Sequence, residues 1–232
     1  MNSSELNRIR REYTHDYRGS DLSTQHPWHP LNPVSIYYRH VQERLVSQFL
    51  RDIPKILGEQ RCLDIGCGFG GFVRFLVSCG AISQNIHGVD IIFERLLKAK
   101  SCSPAGANLL LGDAARLPYS DASFDLVCQF TVISSIFDPA MRTRICLEMV
   151  RVLRKGGYLI WYDMLRTKST ATLPVSLKEI QALIPDLRMV KLHRLHSMFS
   201  GRAATITPLF SALLDLLPGL PKTHALILFI KF

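Results

Sequence analysis

The sequence predicts an α/β protein, a mostly parallel sheet with helices on both faces. Three observations carry that reading. Short apolar runs at 61–65, 85–89, 108–111, 124–130 and 158–162 alternate with segments of helical period, as repeated strand–helix–strand units do. The first run leads straight into a glycine-rich turn, CLDIGCGFGG at 62–71. Acids stand at or beside the strand ends, at Asp64, Asp90, Asp113 and Asp163.

Residues 1–33 are polar and rich in His, Pro, Arg and Tyr, and read as an irregular arm or a substrate lid. Prolines 27, 30 and 33 exclude a regular helix through HPWHPLNP. A helix is predicted over 34–50, where Ile36, Tyr37, Val41, Leu45, Val46 and Phe49 approximate one apolar face. The strand at 61–65 is followed by a helix at 70–78, and the strand at 85–89 ends at Asp90 and precedes a helix at 93–100. Strand 108–111 ends in Gly112 and Asp113. After strand 124–130 comes a long helix at 139–153, closed by Arg154, Lys155, Gly156 and Gly157. Strand 158–162 ends at Asp163, and the tail adds a helix at 176–183, a strand at 189–195, a helix at 207–217 and a last strand at 224–232. No linker interrupts 34–232, which reads as one domain with a basic, substrate-side C-terminal region.

Of the 232 residues, 47% are apolar, enough for a full core, and Lys and Arg outnumber Asp and Glu by 28 to 19. That excess suits an anionic partner or surface. After Asp163 the bias sharpens, and there it is either simply solvated or faces an anionic acceptor or a membrane surface. The six cysteines form no CxxC pair and several sit in apolar runs, which points to reduced thiols in a cytoplasmic compartment. No cysteine or histidine constellation suggests zinc, so no metal is expected. No run approaches the length of a spanning helix, and MNSSELNRIRREY lacks the apolar centre of a signal peptide.

In an open parallel sheet, ligands bind beyond the carboxyl ends of the strands. The glycine turn fits two patterns there. Gly66, Gly68 and Gly71 satisfy the GxGxxG of a dinucleotide site, whereas Asp64, Gly66, Gly68 and Gly70 satisfy a DxGxGxG turn. Asp90, 24 residues after Gly66, suits ribose hydroxyls in either. Asp64 separates them: a carboxylate is a poor neighbour for a pyrophosphate and a good one for an amino-acid ammonium. Asp113 suits an exocyclic amine on adenine, with Ile91 and Leu117 as apolar walls. A ligand with an ammonium, a ribose and an adenine but no phosphate is S-adenosyl-L-methionine.

From 61 to 163, LDIGCGFG, GVD, GDAARLP, SFDLV and RVLRKGG follow one another at spacings that resemble the class I S-adenosylmethionine-dependent methyltransferases, and most of all the type 11 branch. The resemblance implies a Rossmann-like seven-stranded sheet with an antiparallel last strand. It implies that Asp64 and the turn Gly66, Cys67, Gly68 to Gly70 hold the methionyl part and that Asp90 meets the ribose hydroxyls. Asp113 and Ala114 would meet the adenine, and Phe130 and Thr131 would line the cofactor near its methyl. It also implies an enzyme acting on a small-molecule, natural-product or glycan acceptor, most simply at a hydroxyl.

A hydroxyl acceptor calls for a base. Asp163 in IWYDM is the best positioned, with a structural role equally open. His193 and His196 are the other candidates; in a regular strand they point to opposite faces. His26 and His29 flank Trp28 in the arm and, with Tyr37 or Tyr38, would reach an acceptor if the arm closes. QFTVISS at 129–135 lacks the [ND]PP[YFW] of enzymes that methylate nucleic-acid amino groups, which argues against that partner. The same segment has Ser134 and Ser135 where many small-molecule relatives carry a histidine. ITPLFSALLDLLPGL at 206–220 is apolar enough for core packing, a greasy acceptor or peripheral membrane contact. An RNA methyltransferase, a non-catalytic cofactor-binding protein and an NAD-dependent oxidoreductase are the competing readings.

Overall fold

The computed structural model describes residues 3–15, 29, 31–197 and 199–232. Its elements are α1 (Ser3–His15), α2 (Pro33–Asp52), β1 (Cys62–Ile65), α3 (Gly71–Ser78), β2 (Ile86–Asp90), α4 (Phe93–Cys102), β3 (Asn108–Leu111), β4 (Phe124–Phe130), α5 (Pro139–Val152), β5 (Leu153–Met164), α6 (Leu177–Leu183), β6 (Leu187–Ser197), α7 (Ser200–Ala204), α8 (Pro208–Leu216) and β7 (Lys222–Lys231). The helix starts follow from local chemistry. Asn32 and Asp138 accept hydrogen bonds from the first amides of α2 and α5, each with proline at the first helical position. Ser176 and Thr207 do the same for α6 and α8.

The strands form one seven-stranded sheet in the order β3-β2-β1-β4-β5-β7-β6. All pairings are parallel except those of β7, which runs antiparallel to both β5 and β6. The chain winds outward on both sides of β1 and β4, so the crevice beyond their carboxyl ends is the switch point of the sheet. β1 is buried at all four positions, as a central strand covered on both faces must be. Ile65, Val127, Trp161 and Ile227 pack on one face with Met141, Ile145 and Met149 of α5 and Ile180 of α6. Leu126, Cys128, Ile160 and Leu228 pack on the other with Val46 and Phe49 of α2, Val73 and Leu76 of α3, and Leu96 of α4. Each such fully buried aliphatic or aromatic side chain contributes about 1.5–3 kcal/mol.

Three elements differ from expectation. The N-terminal arm carries a 13-residue helix, α1, with Ile9 buried against the first core. Leu6, Ile9 and Tyr13 share one helical stripe, which holds an otherwise polar segment to the domain. Second, β5 begins at Leu153 rather than 158: α5 stops at Val152, and Leu153 already pairs with Phe124, with a register shift before Leu126. Gly156, at φ +72°, lies in that irregular stretch, so RKGG belongs to the strand and does not close the helix, which ends at Val152 capped by Leu153. Third, His196 sits near the end of β6 at φ +56°, and the alternation that would set its direction lapses there.

Candidate functional site

The crevice is built on the turn between β1 and α3. Gly66 N and Cys67 N both donate to Val89 O, at 2.8 and 3.1 Å, and Gly70 N donates to Cys67 O at 2.8 Å. Gly66 has φ +66°, and a Cβ there would stand 2.5 Å from Val132 Cγ2, so only glycine fits between β1 and the chain leaving β4. Gly70, in the left-handed region, precedes α3 with no side-chain cap.

Asp90 ties this turn to β2. Its Oδ2 accepts from Gly68 N and its Oδ1 from Ile92 N, both at 2.8 Å. Burial raises its pKa, against the pull of those amides. Asp64 is 2% exposed. Burial and the neighbouring Asp90 charge push its carboxyl well above the ordinary carboxylate range. Among the described residues no donor is found for it, and two acids this close call for a cation between them. Asp113 turns the chain after β3, its Oδ1 accepting from Ala115 N at 2.9 Å.

Asp90, Ile91, Asp113, Ala114 and Thr131 line one cavity of about 290 Å³, roofed by Ile9 and Tyr13 of α1. A second hollow of about 560 Å³ lies toward α2 and α3 and is lined by Asp64, Cys67, Arg39, Phe72 and Arg74. Gly66 and Phe130 line both, so the two adjoin across the glycine turn. Ammonium, ribose and adenine would meet Asp64, Asp90 and Asp113 in that order along strands β1, β2 and β3. The orphaned Asp64 carboxylate and the glycine cradle fit S-adenosylmethionine and do not fit a pyrophosphate.

Residues 63–161 match the family model described as a methyltransferase domain. This domain belongs to the class I S-adenosylmethionine-dependent methyltransferases. A methyltransferase of Encephalitozoon cuniculi is 38% identical over 104 residues, 45% of each chain. The phthiotriol/phenolphthiotriol dimycocerosates methyltransferase of Mycobacterium tuberculosis is 35% identical over 114 residues, 47% of this chain and 39% of that one. The alignments thus span less than half the length of these curated relatives. The S-adenosylmethionine-dependent methyltransferase of Mesorhizobium loti superposes with a TM-score of 0.60 over 79% of this chain and 96% of that chain, at 17% identity, which is a likeness of fold.

One expected contact of the methyltransferase domain is corrected. Leu117 is not a cavity wall: it is buried in the core, and its N–H donates to Glu148 Oε2 at 2.7 Å. Ile92 and Ile9 take the apolar places beside Ile91. Thr131, at φ +58°, is held by its N–H to Tyr162 O at 2.8 Å.

The three candidates for a base fall in different surroundings. Asp163 is fully buried and lines neither cavity. Its oxygens accept from Gln129 Nε2 and Ser134 N at 3.3 Å and from Met164 N at 2.9 Å, and burial pushes its carboxyl up to about 6. His193 lies within β6 opposite Leu226, away from the rim, with its ring on Phe49 at 5.4 Å. Burial lowers its pKa.

His196 lies at the rim, is fully buried and, like Asp163, lines neither cavity; its ring stacks on Tyr38 at 4.0 Å. Its Nδ1 is 3.6 Å from Asp215 Oδ2, beyond hydrogen-bond reach, and neither ring nitrogen has a hydrogen bond among the described residues. Asp215, from α8, accepts from Tyr37 OH at 2.7 Å and from Ser197 N. His224 of β7 stands 5.3 Å from His196 and stacks on Tyr162 at 5.2 Å, with its Nδ1 2.8 Å from Thr223 Oγ1. Burial lowers the pKa of both histidines, that of His224 to about 3, so both are neutral. Contacts of Tyr162 with Phe130 at 6.0 Å and of Phe130 with Phe72 at 4.4 Å carry this cluster to the second hollow. In the arm, His29 Nδ1 accepts from Leu31 N at 3.1 Å, turning the chain into α2. His26 and Trp28 lie outside the described residues.

Sequence reasoning missed His224 and Asp215, because α8 and β7 meet β6 only in the fold. It also missed Tyr13, whose hydroxyl lies 2.6 Å from Ser135 Oγ, and Arg8, which donates to Ser135 O at 2.6 Å. The spacing of Ile9 and Tyr13 in the N-terminal segment was the available signal.

Proposed function

We propose that the chain is a methyltransferase that moves the S-methyl group of S-adenosylmethionine to a hydroxyl oxygen of a small-molecule, natural-product or glycan acceptor. The carrying observation is the row of acids at three successive strand ends, headed by a buried carboxylate with no donor of its own. S-adenosylmethionine supplies an electrophilic methyl on a sulfonium; the S–C bond breaks as the O–C bond forms, and the acceptor's proton must leave. Asp64 holds the ammonium, Asp90 the ribose hydroxyls, and Asp113 with the Ala114 backbone the adenine. Gly66 to Gly70 let the backbone approach, and Phe130 and Thr131 flank the reacting centre. Alignment of nucleophile and methyl supplies much of the catalysis.

His196 is the proton acceptor in this reading, seated under Tyr38 with the Asp215 carboxylate 3.6 Å from its Nδ1. It is neutral, as a base must be, and a buried imidazole with two unpaired nitrogens is an exception among folded groups. Asp163 acts as an organiser: its three bonds join the ends of β4 and β5 to the turn at Ser134 that borders the cavity. The mycobacterial relative, named for phthiotriol and phenolphthiotriol dimycocerosates, supports a natural-product acceptor class.

The test begins with calorimetric titration of S-adenosylmethionine, with NADH as control, and continues with labelled-methyl transfer to hydroxylated small molecules and to bulk RNA. Binding of the first alone and label in small molecules are expected. Failure to bind S-adenosylmethionine overturns the cofactor reading, and label entering RNA overturns the acceptor class. With an acceptor in hand, His196→Gln should lower kcat and leave cofactor affinity unchanged; normal turnover removes the base assignment.

A further inference from the structure

Helix α8 is built inside out. Its polar residues Ser211 and Asp215, one turn apart, face the protein: Ser211 Oγ donates to Ser200 O at 2.9 Å, and Asp215 takes Tyr37 and Ser197. Three of its four leucines face water. Leu209 is 71% exposed and Leu216 79%, and Ile206, Phe210, Leu213 and Leu217 join them. A helix packed on a soluble domain ordinarily hides its apolar stripe, so this orientation leaves an uncovered apolar face on the described surface.

The charge around that face has one sign. After Asp186 the only acid in the sequence is Asp215, which is turned inward; at the rim end of β6 and β7 Arg194 is exposed and Lys222 Nζ donates to Asp215 O, whereas Arg188 and Lys231 lie at the far end of these strands and Lys191 pairs with Asp52. Arg202 stands exposed on α7, which packs with α8 and against α2, where Arg39 is also exposed. Arg166 and Lys168 are exposed in the chain leaving β5, which is bonded through Leu165 N and Arg166 N to Thr223 O at the start of β7. An apolar face collared by cations is what an anionic bilayer surface binds, through buried apolar side chains and attraction to acidic headgroups. A second copy related by a two-fold axis would bring the same positive collar against itself.

We propose that the outer face of α8 docks this protein on an anionic lipid bilayer, with Leu209, Leu213 and Leu216 entering the headgroup boundary and Arg202 beside them. The face lies on the α7–α8 insertion between β6 and β7, at the same rim as His196, so docking presents the acceptor end of the crevice to the lipid. The inference does not depend on methyl transfer.

Sedimentation with vesicles tests it, using phosphatidylcholine alone and phosphatidylcholine with about one third phosphatidylglycerol. The protein should partition onto the anionic vesicles and far less onto the neutral ones. The double substitution Leu209→Glu, Leu213→Glu should lower that partition by at least about tenfold. S-adenosylmethionine affinity and melting temperature serve as folding controls, since both side chains are exposed. A smaller loss is expected for Arg202→Ala. Wild-type protein that stays in solution with both vesicles, or a double variant that binds equally well, overturns the proposal. So does a dimer in sedimentation equilibrium that the double substitution dissociates, because the face then belongs to a second copy. Equal binding to neutral vesicles overturns the role of charge.

Discussion

Acid should unfold this protein in part through His224. The imidazole is 6% exposed, stacked on Tyr162, and burial takes its pKa from 6.5 to about 3. A base whose folded pKa is depressed stabilises the fold above its unfolded pKa, and that stability is lost as pH falls from 6.5 toward 3. At about pH 5 the loss from this one group is about 2 kcal/mol, and it reaches about 5 kcal/mol once the folded state is also protonated. Asp163 opposes it. Its folded pKa of about 6 lies above the ordinary carboxylate value of 3.8, so its protonation stabilises the fold as pH falls between them. It offsets part of the His224 loss, so a difference measurement is needed to isolate His224. His224→Phe keeps a ring against Tyr162 and removes the titration. Urea unfolding of both proteins at about pH 7.5 and about pH 5 should show the wild type losing about 2 kcal/mol more than the variant. Equal losses would refute the claim that His224 is held neutral by burial.

Asp90→Ala removes a carboxylate that binds Gly68 N and Ile92 N, and should weaken S-adenosylmethionine binding by about 1.5–3 kcal/mol in calorimetry; unchanged affinity would dismiss the ribose assignment. Gly66→Ala puts a Cβ at φ +66° against Val132, and should cost on the order of 1–3 kcal/mol of stability and most cofactor binding, read by melting with and without ligand. Because the Asp64 pKa is raised well above the carboxylate range, binding of the ammonium should release a proton and strengthen as pH rises. Calorimetry in two buffers of different ionisation enthalpy detects that proton, and Asp64→Asn should abolish it.

The cofactor side of the crevice was legible in the sequence because parallel sheets make it so. Each strand that ends at the crevice is short, apolar and followed by its own turn, so Asp64, Asp90 and Asp113 announce their positions by where the apolar run stops. The expected strands at 108–111 and 124–130 reproduce β3 and β4 residue for residue. Where pairing rather than composition sets the boundary, reading failed: β5 starts at Leu153 because Phe124 offers it a partner, which no local pattern records.

The acceptor side obeys no such rule. Tyr37 and Tyr38 come from α2, Tyr162 from β5, His196 from β6, Asp215 from α8 and His224 from β7, and they converge only because β7 folds back between β5 and β6. Even within β6, alternation misdirects, since His196 leaves the extended region. The reversed orientation of α8 has the same origin. A leucine stripe read locally predicts burial, but Asp215 is satisfied only when it turns toward Tyr37 and Ser197, and that turns the leucines outward. Turned outward, Asp215 would lose its bonds to Tyr37 and Ser197; the exposed leucines forgo about 1.5–3 kcal/mol each, a loss that the proposed contact with a bilayer would restore. The polar cluster at the acceptor end and the apolar face outside it are thus two consequences of one packing decision. A substitution such as Asp215→Leu should disturb both, dispersing the His196 cluster and rolling α8 away from its outward pose.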